Sequence, residues 1–347
     1  MALRRNAGAR SVAIMVRVVA TEEIGPVTGA VTRKFGIHAT DLGILWDNGQ
    51  GKLLCAFGDT YGAGWGGDGA GPPEGSDWRC NVLAFASNRD LDAGLRFDAV
   101  VAREDGTAAQ ILERDRQADE NTVIPNSGIA VGGYNYLHYM SVRKWGPAGT
   151  WDTNYAGIAV SVDGGDTWTK PPGARWPNLP EGDHPFQICA FAAERDHVYL
   201  VGTTNGRFGP AYLGRCGRFD VLSPASYSYF ADGEWVKDPV RATPVMSGPV
   251  GELSVEYNER FRQWIALHLD EERGAIVLRW APELTGPWAD GQVLVDGGDY
   301  PAPYGGYLHP WANDGEDVYF TLSQWGPYNV KLMRTRLKSD APGSGTV

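Results

Sequence analysis

The chain has 347 residues, 31 Lys+Arg against 42 Asp+Glu for a net charge of −11 at pH 7, and 43% hydrophobic residues. This composition describes a globular chain and excludes disordered and collagen-like classes. The acidic balance repels phosphate backbones and anionic membranes, so nucleic acid, lipid surfaces and membrane insertion are poor expectations, while neutral and cationic ligands stay open. Glycine (46), proline (22) and 13 tryptophans suit many short strands joined by tight turns better than they suit helices.

At the N-terminus, Arg4, Arg5 and Arg10 before Ser11–Val16 imitate the basic and apolar regions of a signal peptide. The apolar stretch is short and broken by Arg17, which argues against one. The segment near Arg10–Ala20 is instead expected to supply a strand that ties a ring shut, within an N-terminal region covering 1–30. From Asp41 onward, apolar runs bounded by turn residues recur five times, each as a hairpin. These units begin near Asp41 (turn Asn48-Gly49), Asn126 (turn Gly132-Gly133), Gln187 (turn Arg195-Asp196), Glu252 (turn Asn258-Glu259) and Tyr307 (turn Asp314-Gly315). Each is followed by a further pair of strand-like runs, such as Tyr155–Val162 and Ala275–Trp280. Four strands per unit predict an all-β fold, a five-bladed β-propeller over 31–337. Gly62–Arg79 reads as a long Gly/Pro loop of the kind that binds or covers a site. Its formal G-x-G-x-x-G is followed by Pro72-Pro73 where a nucleotide-binding helix would start. Thr107–Gln117 is expected to form a short surface helix, and 338–347 a disordered tail. Cys55 and Cys189 lie in apolar runs and read as small core residues.

The six histidines are scattered, and no G-x-S-x-G, Walker or H-E-x-x-H pattern is present. The pair Asp41 and Asp59 stands out. The turn around Asn48–Gly51 gives paired positions that sum to about 97–100, so Asp41 should face a residue between 56 and 59. Both acids then sit at one end of the first blade. Opposed residues lie about 4.5–5.5 Å apart and diagonal ones about 7–8 Å. Glycosidases hold their carboxyls about 5–5.5 Å apart when retaining and about 6.5–9.5 Å when inverting. Because inner strands begin at the rim of a propeller's funnel, Asn126, Gln187, Glu252 and His309 are expected to converge with Asp41, Glu252 as a third catalytic carboxylate and the others as substrate ligands. Trp145, Trp311 and the run Trp325-Gly-Pro-Tyr328-Asn329 offer flat faces and polar groups for sugar rings. This chemistry requires no cofactor and no metal, although carboxylates and carbonyls around a funnel are hard oxygen ligands that suit a structural Ca²⁺.

Ser161-Val-Asp163-Gly-Gly165-Asp-Thr167-Trp168 resembles the Asp-box of sialidase-like propellers, whose Asp shapes an outer turn and does no chemistry. More broadly, Ala39-Thr40-Asp41-Leu-Gly, Phe57-Gly58-Asp59-Thr60-Tyr61, Gly251-Glu252-Leu-Ser-Val and the stretch from Tyr307 to Leu332 resemble one family over about residues 30–337. This is the actinobacterial domain linked to endo-D-arabinanases, found also in mycobacteria and their phages. The resemblance implies a five-bladed propeller that cleaves internal α-D-arabinofuranosyl bonds of arabinogalactan and lipoarabinomannan; a monomer is the expected state. It also implies a catalytic pair of Asp eighteen residues apart, which falls on Asp41 and Asp59 (59 − 41 = 18). Inversion is the expected outcome, since analogous five-bladed hydrolases mostly invert. Two other readings are a glycan-binding propeller without catalysis, such as a phage tail-tip or surface adhesin, and a sialidase-like exo-glycosidase. The latter needs an arginine triad, for which Arg207 and Arg279 are candidates.

Overall fold

The computed structural model describes residues 15–72, 74–115, 119–179 and 184–340, so Arg4, Arg5, Arg10 and residues 341–347 of the expected tail lie outside the described residues. After β1 (Met15–Pro26), five antiparallel sheets follow one another along the chain. The first comprises β2 (Leu42–Asp47), β3 (Leu53–Phe57), β4 (Val82–Ala86) and β5 (Ala99–Val100). The second comprises β6 (Thr122–Val131), β7 (Tyr134–Trp145), β8 (Trp151–Ser161) and β9 (Arg175–Pro177). The third runs β10 (Ile188–Glu194), β11 (His197–Thr203), β12 (Tyr212–Gly217), β13 (Ser228–Ala231) and β14 (Glu234–Val236). The fourth holds β15 (Leu253–Asn258), β16 (Gln263–Asp270), β17 (Ala275–Ala281) and β18 (Gln292–Asp296). The last is β19 (Pro303–Leu308), β20 (Asp317–Gln324) and β21 (Asn329–Asp340), with β1 as its outer strand.

The first strands of the sheets, β2, β6, β10, β15 and β19, pack side by side in that order, and β19 returns to β2. The fold is therefore a five-bladed β-propeller, as the hairpin repeat predicts, and no α-helix occurs among the described residues. Strand β1 pairs with β21 from Met15↔Asp340 to Pro26↔Lys331, so the two ends of the described chain share one blade. Pairing the outer strand in this way covers an edge that would otherwise stand open. Lys338 to Asp340 belong to this ladder, so the disorder expected from 338 is not found at 338–340.

The inner strand β2 is apolar almost throughout because both of its faces are covered; Leu42 to Trp46 are all buried. Neighbouring blades interlock through aromatic side chains. The Trp46 indole N–H donates to Asn135 Oδ1 at 3.0 Å, and its ring meets Trp168 edge-on at 6.2 Å. Gly128 makes room for it, since a Cβ there would stand 2.3 Å from the indole. In the turn before Trp168, Ser161 Oγ donates to Asp163 Oδ1 at 2.8 Å and Asp163 accepts from the Thr167 backbone N–H and hydroxyl, so Asp163 shapes a turn. All four cysteines are buried and unbridged.

Two inner strands begin earlier than their sequence suggests. β6 starts at Thr122 and not at Asn126, because an irregularity between Pro125 and Ser127 admits a proline that otherwise reads as a break. β19 starts at Pro303 and not at Tyr307, with a similar break in register between Tyr304 and Tyr307. The helix expected over 107–117 is not formed at 107–115. There the backbone bonds sideways, Ala108 N–H to Phe35 O, Ala109 N–H to Val101 O, and Ile111 and Leu112 N–H to the Asn81 side chain.

Candidate active site

At the end of the ring where β2 and β6 begin, a cavity of about 750 Å³ is lined by residues of all five blades. Its size falls within the usual range of ligand pockets. Three of the five inner strands are irregular near this end: β2 between Leu42 and Ile44, with Leu42 at φ 68, β6 at Pro125–Ser127, and β19 at Tyr304–Tyr307. Such irregularities re-aim side chains, and here they turn Asp41, Asn126 and Tyr304 toward one space.

Asp41 precedes β2 and Asp59 follows β3. The bridge Ala39↔Tyr61 and the bond from Gly58 N–H to Asp41 O put Asp41 against the Gly58–Asp59 step, within the 56–59 range that the sequence register allows. Between them the Thr40 and Thr60 hydroxyls bond each other at 2.7 Å. Asp41 Oδ2 accepts the hydroxyls of Tyr304 at 3.1 Å and Tyr328 at 3.0 Å. Its Oδ1 is fully buried against Gly58, where a Cβ would stand 2.4 Å away. The oxygen available to the cavity is thus Oδ2. Asp59, 8% exposed, accepts the Thr122 hydroxyl at 2.8 Å and the Trp78 indole N–H at 3.0 Å, both on Oδ1.

These environments separate the two acids. Burial, then the charge of Asp59, pushes Asp41 up to about 8 against the opposing effect of the two tyrosine hydroxyls. Burial also pushes Asp59 up, but the bonds from Thr122 and Trp78 and the charge of Arg114 hold it to about 6. Near neutrality one carboxyl is protonated and its neighbour ionised, the condition for an acid–base pair.

Glu252, just before β15, also lines the cavity, with its carboxylate ion-paired to Arg207. Trp325 is half exposed on the rim and meets Tyr328 edge-on at 5.6 Å. The Gly-rich loop lies against it: Gly69 N–H donates to Gly326 O at 2.9 Å, and Ala70 and Gly71 line the cavity. Trp145, likewise half exposed, lines the wall contributed by the second blade. Asn126 lines the cavity and bonds His138 Nδ1 behind it.

Three of the expected substrate ligands are not brought there. Gln187 is fully buried, where its Oε1 accepts the Thr153 hydroxyl and its Nε2 donates to Trp176 O. His309 follows β19 instead of opening it, so it lies beyond the far end of that strand, with Nδ1 accepting the Trp311 backbone N–H. Asn329 turns away to accept the Thr28 hydroxyl at 2.8 Å. Trp311 is likewise spent elsewhere, bonding Asp47 under the Arg89 guanidinium. Arg279 bonds Ser247 outside the cavity lining, and among the described residues Arg207 is the one arginine of that lining, so the described residues form no arginine triad there. Among the described residues no three His, Cys, Asp or Glu side chains come together as a group that could hold a metal.

Sequence reading missed Tyr304, Thr122, Trp78 and the placement of Arg207. Thr122 and Tyr304 were hidden because their strands begin earlier than the sequence suggests, whereas Arg207 carried a signal, following Asn205-Gly206 just after β11.

Among solved structures, a Bacteroides ovatus protein matches with a TM-score of 0.60 at 13% identity, covering 88% of this chain and 87% of that one. A family 117 glycoside hydrolase of Zobellia galactanivorans matches with a TM-score of 0.56 at 12% identity, covering 96% and 95%. The catalytic domain of the GH62 alpha-L-arabinofuranosidase of Coprinopsis cinerea matches with a TM-score of 0.52 at 12% identity, covering 93% and 99%. The fold is thus one shared with propeller glycoside hydrolases. In sequence, Notoamide biosynthesis cluster protein J of Aspergillus sp. (strain MF297-2) is 28% identical over 336 residues, covering 91% of this chain and 87% of that protein. The corresponding protein J' of Aspergillus versicolor is 29% identical over 312 residues, covering 84% and 82%. Over residues 28–334 the sequence matches the model of the domain of unknown function DUF4185, and the chain belongs to that family.

Proposed function

We propose that the protein is a glycoside hydrolase in which Asp41 is the general acid and Asp59 the general base. The observation that carries this reading is the meeting of two carboxyls at the mouth of one hairpin, both lining a cavity large enough for a glycan segment. Asp41, protonated near neutrality, gives its proton from Oδ2 to the departing glycosidic oxygen, and the Tyr304 and Tyr328 hydroxyls, by donating to Oδ2, stabilise the carboxylate left behind. Asp59, ionised and tethered through Oδ1, keeps Oδ2 for the attacking water. A single displacement of this kind inverts the anomeric centre.

The substrate we propose is the D-arabinan of mycobacterial arabinogalactan and lipoarabinomannan, cleaved within the chain. Support comes from the family resemblance of the Asp41 and Asp59 segments and from half-exposed Trp325 and Trp145 on the rim, which suit sugar faces on either side of the acids. The test is to incubate the protein with mycobacterial arabinogalactan and follow released oligosaccharides by mass spectrometry and the first-formed anomer by NMR. A ladder of D-arabino-oligosaccharides from wild type, absent with Asp41→Asn and Asp59→Asn, supports the reading. Glycan that binds in a pull-down and is never cut would sink it in favour of a non-catalytic binding propeller.

A further inference from the structure

Among the described residues, two carboxylate oxygens are buried without any hydrogen-bond partner in the protein: Asp41 Oδ1 and Glu252 Oε2. The first is closed off by Gly58. The second belongs to a side chain 8% exposed whose other oxygen is fully occupied, since Arg207 Nε and Nη2 both donate to Glu252 Oε1, at 3.0 and 2.8 Å. Arg207 reaches this position from the turn after β11. Its Nη1 also lies 3.5 Å from Glu271 Oε2, and its guanidinium carbon stands 5.1 Å from the centre of the Tyr304 ring. Arg207, Glu252, Glu271 and Tyr304 all line the cavity, and Tyr304 donates to Asp41.

An anionic oxygen that has lost water and gained no donor is costly to the fold, and a bound molecule bearing an O–H or N–H removes that cost. A metal ion fits less well, because the Arg207 charge stands on the same carboxylate and among the described residues it belongs to no group of three His, Cys, Asp or Glu side chains. The cavity as a whole is lined by apolar and aromatic groups, which suits a neutral, hydroxyl-bearing ring.

We propose that Glu252 Oε2 accepts a ring hydroxyl of the sugar lying beside Asp41, and that Arg207 is the positioning residue that holds Glu252 in place for it. This rests on the glycosidase reading and adds to it a group that selects sugars by a hydroxyl. Hydrogen bonds to charged groups are the strong ones, and Glu252→Gln keeps the shape while losing the charge and turning a donor toward either Arg207 or the sugar.

The experiment uses the whole protein with wild type, Glu252→Gln, Arg207→Met and the double variant. It measures kcat/KM on D-arabinan and calorimetric binding of acid-generated arabinan fragments, with thermal midpoints as a folding control. Glu252→Gln should lose roughly 10- to 100-fold in kcat/KM and bind fragments more weakly, the size expected for a charge-assisted hydrogen bond. Arg207→Met should lose a similar factor, and the double variant should be little worse than either single, because both changes remove the same contact. Glu252→Gln within about twofold of wild type in both readouts would overturn the role of Glu252. Losses that multiply in the double variant would overturn that of Arg207. Should Arg207→Met fail to fold, Arg207→Lys takes its place, a single ammonium being unable to reproduce the paired donors. A wild type that neither cleaves nor binds arabinan is a different failure, that of the glycosidase reading, and the inference falls with it.

Discussion

Tyr328 donates its hydroxyl to Asp41 Oδ2 at 3.0 Å across 287 positions of sequence. Tyr328 sits at φ 45 in a turn just before β21, and its ring is packed edge-on between Tyr61 and Trp325. The last blade therefore orients the acid of the first, and the ring must be closed for the cavity to be complete.

Exchange of either acid should abolish turnover and spare the fold. Asp41→Asn and Asp59→Asn are each expected to lower kcat by about 10²–10⁴ or more. Both proteins should keep the circular dichroism and thermal midpoint of a folded propeller. Near-full activity in both would end the assignment.

The pH profile of kcat/KM should be bell-shaped with its maximum near neutrality. Activity rises as Asp59 ionises around 6 and falls as Asp41 loses its proton around 8. The tyrosine hydroxyls favour the ionised form of Asp41, so Tyr304→Phe or Tyr328→Phe should move the alkaline limb upward. A limb that stays in place or moves down in both variants would contradict this arrangement.

Stability should carry the same signature. Both acids are raised from 3.8, so the folded state prefers their protonated forms. Their contribution is fully present below about pH 4 and is lost as pH rises through about 6 and about 8. The thermal midpoint of Asp41→Asn should therefore gain on wild type between pH 5 and pH 8. A pH-independent difference would show that Asp41 is not held in its acid form.

Gly58→Ala should disable the site with both acids left in the sequence. The added methyl would meet Asp41 Oδ1 and force the carboxyl out of its place between the two tyrosines. The expected result is a fall in kcat of about 10² or more, in keeping with the sensitivity of such geometry to an ångström of displacement. Crystallography of the variant checks the cause by showing whether Asp41 has moved.

Trp325→Ala and Trp145→Ala should act on binding. Both side chains are half exposed, so their loss leaves the core largely intact. An aromatic contact of about 0.5–1.5 kcal/mol corresponds to a several-fold rise in KM with kcat nearly unchanged. Shorter products from one variant than from the other would reveal which side of the cleaved bond each tryptophan holds.

Much of this protein is determined locally by its sequence. Turn pairs such as Gly132-Gly133 and Arg195-Asp196 lie between short apolar runs, and each closes the expected hairpin. Hairpin register is a local property, which is why the short turn after Asp47 is enough to bring Asp41 and Asp59 to one end of the first blade. What only the tertiary structure decided is how different blades meet at the cavity. The bulges at Pro125 and Tyr304 shift which residues reach it, so Asn126 arrives with Thr122 and Tyr304, while Gln187, His309 and Asn329 spend their polar groups between or beneath the blades. The pairings of Tyr328 with Asp41 and of Arg207 with Glu252 join blades whose separation in the chain leaves no periodic trace. Such contacts are fixed by closure of the ring and by competition among buried groups for the few donors in reach, and those are properties of the packed molecule.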